Sequence, residues 1–291
     1  MVMNGLLKIM AVGLLIGASV TFSSCSLLRH SRPNPDKVAN ILDSICTEGY
    51  NLFLAECVNW VATDSVLEHY ERDSIGGNVI WQPTDSTWKA VFFDSEFRHT
   101  IFELCFNMHT GKYDFSYDKR PSTEMEIKQR ELRASMFENA FRRYGDSLRY
   151  NSSLGRLNFD FVRVNDSTIR MYILQGTERT NVIPFGNDYS IDFDNDGNLI
   201  AFRRYHHSLI AISTEESNDE RDITVHSHLK DNPYITPTDI CNFLLYRGIM
   251  TTTQVYSTAL DSFIIYDAER NAAYFIPAKV YKKIGKDKNR H

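Results

Sequence analysis

The chain has 291 residues, 37 of them acidic against 32 Lys and Arg, for a formal charge of −5, and 43% are apolar. These proportions exclude a disordered, collagen-like or coiled-coil chain, and the acidic balance lacks the basic surface that nucleic-acid binding needs. Aromatic residues, 12% of the total, supply the bulk for a sizeable core in one large domain or two small ones.

Gly5 to Phe22 reads GLLKIMAVGLLIGASVTF, with one charge at Lys8 and an apolar run from Ile9. The run falls short of the roughly 20 residues that span a bilayer, so residues 1–24 read as a signal peptide. It ends Ser23-Ser24-Cys25. Small residues before a cysteine resemble the lipobox of bacterial lipoproteins, with the Ser-Ser-Cys ending of Bacteroidota. The resemblance implies cleavage before Cys25, lipid on that cysteine and a membrane as partner. Acyl chains contribute roughly 0.8 kcal/mol per buried CH₂, enough for durable anchoring. Surface-exported members resemble one another in acidic residues after the cysteine. Residues 26–33 (SLLRHSRP) have none, which implies an outer-membrane location facing the periplasm. The remaining cysteines, Cys46, Cys57, Cys105 and Cys241, show no metal spacing and read as buried free thiols. Cys46 and Cys57 share a helix face about 16 Å apart, too far for a bond unless Gly49 breaks the helix.

Residues 25–38 form the acylated N-terminus and tether. Asn34-Pro35 starts a helix, with Asn as N-cap and Pro in the first turn, and apolar spacing carries it to about Tyr70. Short strands over 79–81, 88–93, 100–106 and 113–117, split by turn clusters, predict an antiparallel meander. A helix over 123–144 closes the N-terminal region, 39–150. In the C-terminal region, 151–284, strands are expected at 157–164, 168–175, 189–193, 199–205, 209–212 and 223–225. A helix over 237–246 and a hairpin of 263–266 with 274–276 follow. Residues 285–291 complete a basic, solvated tail. The class is α+β: N-terminal helices and a meander, then a C-terminal mixed sheet flanked by helices.

Asp192 to Leu199 (DFDNDGNL) matches part of a calcium loop, but Arg203 stands where a bidentate Glu is needed. Its flanks alternate as strands, so Asp196-Gly197 is a hairpin turn. The stronger constellation is His226-Ser227-His228 followed by Thr236-Pro237-Thr238-Asp239. Residues at i and i+2 of a strand point to one face, so both imidazoles can reach a metal. Asp239 in the first turn of the next helix supplies a carboxylate, and three protein ligands leave a position for water, the catalytic zinc arrangement. The same segment is a helix start, with Thr236 as N-cap and an acid three residues on, which draws Asp239 towards its own backbone. Of His206 and His207 at a strand end, at most one points into the same cleft.

This pattern resembles the JAMM (MPN-type) zinc metalloproteases, whose motif is His-x-His, seven residues, Ser, two residues, Asp; here Thr236 stands for Ser. Asn232-Pro233, Thr236 to Ile240 and the closing hairpin extend the likeness over the C-terminal region. The resemblance implies a JAMM-like fold and a membrane-anchored hydrolase acting on an amide or isopeptide bond of a protein or peptide. Zinc would sit on His226, His228 and Asp239, with Thr236 supporting the oxyanion. The family places Pro after the second histidine, where this chain has Leu229, and a catalytic Glu upstream. Glu178 is the only glutamate within 166–181 and is the expected base. The alternatives are a non-catalytic envelope lipoprotein acting as a binding or scaffold module, and a purely structural metal site.

Overall fold

The computed structural model describes residues 34–213, 223–248, 250 and 252–288. The signal segment, Cys25, the tether up to residue 33 and the last three residues lie outside them. The described residues belong to one unit from Asn34 onward, and no helix among them is long and apolar enough to cross a membrane.

Helix α1 (Pro35–Leu67) starts as its sequence dictates, with Asn34 Oδ1 accepting from the Asp36 N–H at 3.0 Å and Pro35 in the first turn. It runs unbroken through Gly49. That glycine is required by packing: a Cβ there would lie 2.7 Å from Ile240 Cβ and 3.0 Å from the Pro237 carbonyl. Cys46 and Cys57 on this helix are free thiols, both pushed up to about 12, chiefly by burial.

Strands β1 (Ile75–Thr84), β2 (Thr87–Asp94), β3 (His99–Asn107) and β4 (Lys112–Ser116) form the expected antiparallel meander, with the short β5 (Arg120–Pro121) added to β3. Leu52, Val58 and Val66 of α1 pack on Trp88, Phe102 and Leu104 of one sheet face. Fully burying such side chains contributes roughly 1.5–3 kcal/mol each. Helix α2 (Glu124–Tyr144) opens with a reciprocal capping box between Thr123 and Glu126. Its Met136 and Ala140 cover the second sheet.

That sheet contains β6 (Leu157–Asn165) and β7 (Thr168–Gln175). The chain then leaves it as β8 (Val182–Gly186) and returns as β9 (Tyr189–Phe193) and β10 (Leu199–Arg204), giving the antiparallel order β10-β9-β7-β6. The β9–β10 connection is the turn expected at Asp196-Gly197. Asp194 Oδ1 accepts from the Asp196 and Asn198 amides, and Gly197 sits at φ +82°. β8 pairs with β11 (Leu209–Ser213), and β12 (Ile223–His228) enters a separate mixed sheet. Helix α3 (Pro237–Leu245) connects β12 to the parallel β13 (Thr252–Ser257). β14 (Ser262–Asp267), β15 (Ala272–Pro277) and helix α4 (Ala278–Lys288) complete the chain.

Three elements depart from expectation for identifiable reasons. β8 contains Pro184, which argues against a strand, but its ladder is only two strands wide and tolerates the missing donor. β13 is polar in sequence, yet Thr253, Gln254 and Ser257 are buried at the centre of the mixed sheet. The basic C-terminal stretch is helical as far as Lys288. The division at residue 150 is not a boundary between bodies. Val38, Leu42 and Cys46 of α1 share a core with Ile240, Val255 and Ile264, while the other half of α1 serves the meander.

Glu56 and Asp160 are buried together where α1 meets β6. Desolvation pushes both carboxyls up. Glu56 is eased by hydrogen bonds from Asp160, Asn158 and Trp60, whereas Asp160 is raised further by Glu56. Folded-state acid pKa values above the unfolded ones mean that this stability is complete at low pH and is lost as pH rises. Asp160→Asn is expected to stabilise the fold by about 1–3 kcal/mol at pH 8 and by less at pH 4, read by thermal unfolding at both. Gly49→Ala is expected to cost roughly 1–3 kcal/mol from overpacking against Ile240, more than its gain of up to about 1 kcal/mol in helix propensity. Chemical denaturation measures that balance.

Candidate metal centre

His226 and His228 alternate onto one face of β12, as the strand periodicity requires, and their Nε2 atoms stand 3.0 Å apart. Beyond β12 the chain turns back through a loop fixed at both ends. Asn232 Nδ2 donates to the carbonyls of Arg204 (3.0 Å) and Tyr205 (2.9 Å), which ties the loop to the end of β10. The Tyr234 carbonyl lies 2.6 Å from His228 Nδ1. Because it binds the end of β10, this loop carries His206 into the cluster, with its Nε2 2.9 Å from His228 Nε2.

Asp239 divides its carboxylate. Oδ2 accepts from the Thr236 N–H (2.8 Å) and hydroxyl (2.7 Å), completing a capping box at the start of α3. Oδ1 faces the rings, 3.0 Å from His226 Nε2 and 3.3 Å from His206 Nε2. It is fully buried and accepts no well-aligned hydrogen bond. A buried carboxylate oxygen in that condition is costly unless a cation completes it.

The rings are set in the orientation a metal requires. A carbonyl can only accept, so His228 Nδ1 carries the proton it gives to Tyr234. His206 Nδ1 faces both oxygens of Asp188 at 2.8 and 2.9 Å and likewise donates. Asp188 in turn accepts from the His206 amide and from the Thr238 hydroxyl. In the neutral rings both Nε2 lone pairs then point inward at each other, an arrangement that needs positive charge between them. The electrostatics show that the cluster draws positive charge, which a proton on His206 or a cation can supply. Burial alone would push the Asp239 carboxyl up, but the three imidazoles outweigh it and hold the group well below the usual carboxylate range. Burial would likewise lower His206, yet Asp188 and Asp239 push it up to about 11. Burial, aided by the other two rings, lowers His228.

Three Nε2 atoms and one Asp239 oxygen lie within 4.8 Å of one another, the only such group among the described residues. Tetrahedral ligands at roughly 2.0–2.1 Å from zinc stand about 3.3 Å apart. The separations His206–His228 (2.9 Å), His226–His228 (3.0 Å), His226–Asp239 Oδ1 (3.0 Å) and His206–Asp239 Oδ1 (3.3 Å) lie close to this value, so the set could hold a small divalent ion. His226, His228 and Asp239 are thus brought together as the spacing predicted. His206 is a fourth member rather than the water expected in that position. Its signal was the His206-His207 pair at a strand end; which ring turns inward, and towards what, depends on the Asn232 clamp.

The remaining expectations need correction. Glu178 is exposed and lines a different cleft, beside Glu56 and Trp60, because the chain after β7 runs to the far side of α3. The Thr236 hydroxyl is buried and engaged with Asp239 and Thr238, so it supports the ligand and does not face an incoming carbonyl. The three histidines instead form the floor of an open cleft of about 150 Å³, walled by Phe185, Ile210 and Leu229, with Asp231 at its edge.

A divalent ion taken up by this group is expected to bind roughly 10–100-fold more weakly in Asp188→Asn. His206→Ala is expected to weaken that binding while leaving a three-ligand site; competition with a chromophoric chelator measures both. No protein-family model matches the chain, and no curated protein or solved structure matches it either.

Proposed function

We propose that this chain is a lipid-anchored zinc metallohydrolase of JAMM-like type, cleaving an amide or isopeptide bond in a protein or peptide at the cell envelope. The observation that carries the reading is the orphaned Asp239 Oδ1, buried against the Nε2 atoms of His226 and His206 with His228 beside them. The strand–loop–helix segment that presents His226, His228 and Asp239 also supports it, in order and in spacing. Zinc held there by His226, His228 and Asp239 would supply a Lewis acid and, with His206 displaced from the fourth position, an acidified water.

The chain's own groups divide the remaining tasks. His226, His228 and Asp239 hold the ion from its buried side. Asp188 fixes the His206 ring, and Thr236 fixes the carboxylate. Asp231, the carboxylate that lines the same cleft, takes the proton-moving role first expected of Glu178. The position of His206, its side chain only 14% exposed, favours a second reading: four protein ligands are the hallmark of structural zinc, here joining the end of β10 to β12 and α3. A metal-free binding or scaffold module remains the third. Localisation rests on the Ser23-Ser24-Cys25 ending, and Cys25→Ala is the variant that should release the chain from membranes.

The test is zinc analysis of the purified chain together with cleavage of a quenched-fluorescence library containing ordinary and lysine ε-linked peptides. One zinc per chain is expected, with cleavage abolished in His226→Ala and His228→Ala. Asp231→Asn should lower kcat by about 10²–10⁴ with zinc content unchanged. Zinc without cleavage, where a chelator unfolds the chain, selects the structural reading; absence of zinc binding sinks both.

A further inference from the structure

The second cleft, of about 280 Å³, lies where α1 and α3 pass each other and is served by both helices in the same way. α1 contributes Glu56 and, one turn later, Trp60; α3 contributes Asn242 and, one turn later, Tyr246. Asn158 of β6 and Glu178 beyond β7 complete the polar lining. Each helix thus presents one planar hydrogen-bonding group and one aromatic ring to the same space.

Several of these side chains are held rather than loose. Asn158 Nδ2 donates to Glu56 at 3.3 Å, and Asn242 Nδ2 to the Pro184 carbonyl at 3.2 Å, which fixes where their amide oxygens point. Trp60 lines the same cleft and is 42% exposed. A half-open indole on the wall of a concave cleft offers a flat apolar face to a ligand there. Glu56 is 1% exposed, and its burial beside Asp160 costs stability that the core does not need.

The chemistry of the lining selects the ligand. Arg156 is the single cation on the cleft wall, against the carboxylates of Glu56 and Glu178, which disfavours phosphates and other anions. Glu56 is already bonded to Asn158, and no metal-ligating group was found here among the described residues. Amide and carboxylate groups around two aromatic rings suit a molecule with many hydroxyls and an apolar face. We infer that the α1–α3 cleft is a binding site for an uncharged saccharide unit, stacked on Trp60 and hydrogen-bonded by Asn158, Asn242 and Glu178. The volume admits one sugar ring, being just below the roughly 300–1,000 Å³ of sites for larger ligands. This site is separate from the metal centre and stands whether or not that centre is catalytic.

Saturation-transfer NMR and tryptophan fluorescence with chitotriose, maltotriose and cellotriose test it, with spermidine as the cationic control. At least one trisaccharide should bind, perturbing Trp60 emission. Binding should weaken at least about tenfold in Trp60→Ala and in Glu178→Gln. Glu178 is exposed, so thermal unfolding and zinc content of Glu178→Gln should match the wild type. The inference is overturned if no trisaccharide binds at millimolar concentration, if the variants bind as well as the parent, or if spermidine binds more tightly than every sugar.

Discussion

The two oxygens of Asp239 have separate partners, and the arrangement around the histidines follows from that division. One oxygen caps α3 and fixes the first turn of the helix. The other is left buried with no aligned donor and three imidazole nitrogens around it. Capping alone would use both oxygens or leave one in water. Keeping one dry and unsatisfied makes sense when a cation is part of the folded state, since the free energy of a metal bond then offsets the desolvation. Asp188 extends the same logic outward, because it holds His206 from one side and Thr238, the neighbour of Asp239, from the other.

This centre is positioned by α1, although α1 supplies none of its ligands. The helix needs Gly49 because the first turn of α3 presses against it, with Ile240 filling the space a side chain would take. The residue that meets α1 is therefore adjacent in sequence to the residue that faces the histidines. Any shift of α1 against α3 is felt at the Asp239 carboxylate within one residue. Residues of the same two helices, Glu56 and Trp60 of α1 and Asn242 of α3, also line the second cleft.

The core buries polar groups at both clefts, and also along β13, where Thr253, Gln254 and Ser257 lie inside the mixed sheet. Trp88, Phe93, Phe102 and Tyr172 fill the sheets with almost no exposure, as close-packed interiors require. Against that background the buried polar residues are few enough to be informative. Asp188, Thr236, Thr238 and Asp239 gather at the metal centre, and Glu56 and Asp160 beneath the α1–α3 cleft. The two groups have different charge logic. The first surrounds rings with carboxylates and so favours a cation; the second buries two carboxyls whose desolvation raises both.

Much was legible before any coordinates. The Asn34-Pro35 start, the meander, the Thr123 cap, the hairpin at Asp196-Gly197 and the common face of His226 and His228 are local consequences of capping, turn chemistry and strand alternation. The spacing to Asp239 was equally local, since a short loop and a helix start bring it back beside the strand it follows. What the chain order could not supply was His206, which lies 20 residues before His226 and reaches the centre through the Asn232 clamp to β10. Nor could it show that Glu178 leaves for another cleft, that β13 buries polar residues at the middle of a sheet, or that Gly49 continues a helix. Each of these depends on which distant backbone approaches which, and a sequence read in windows of a few residues contains no measure of that distance.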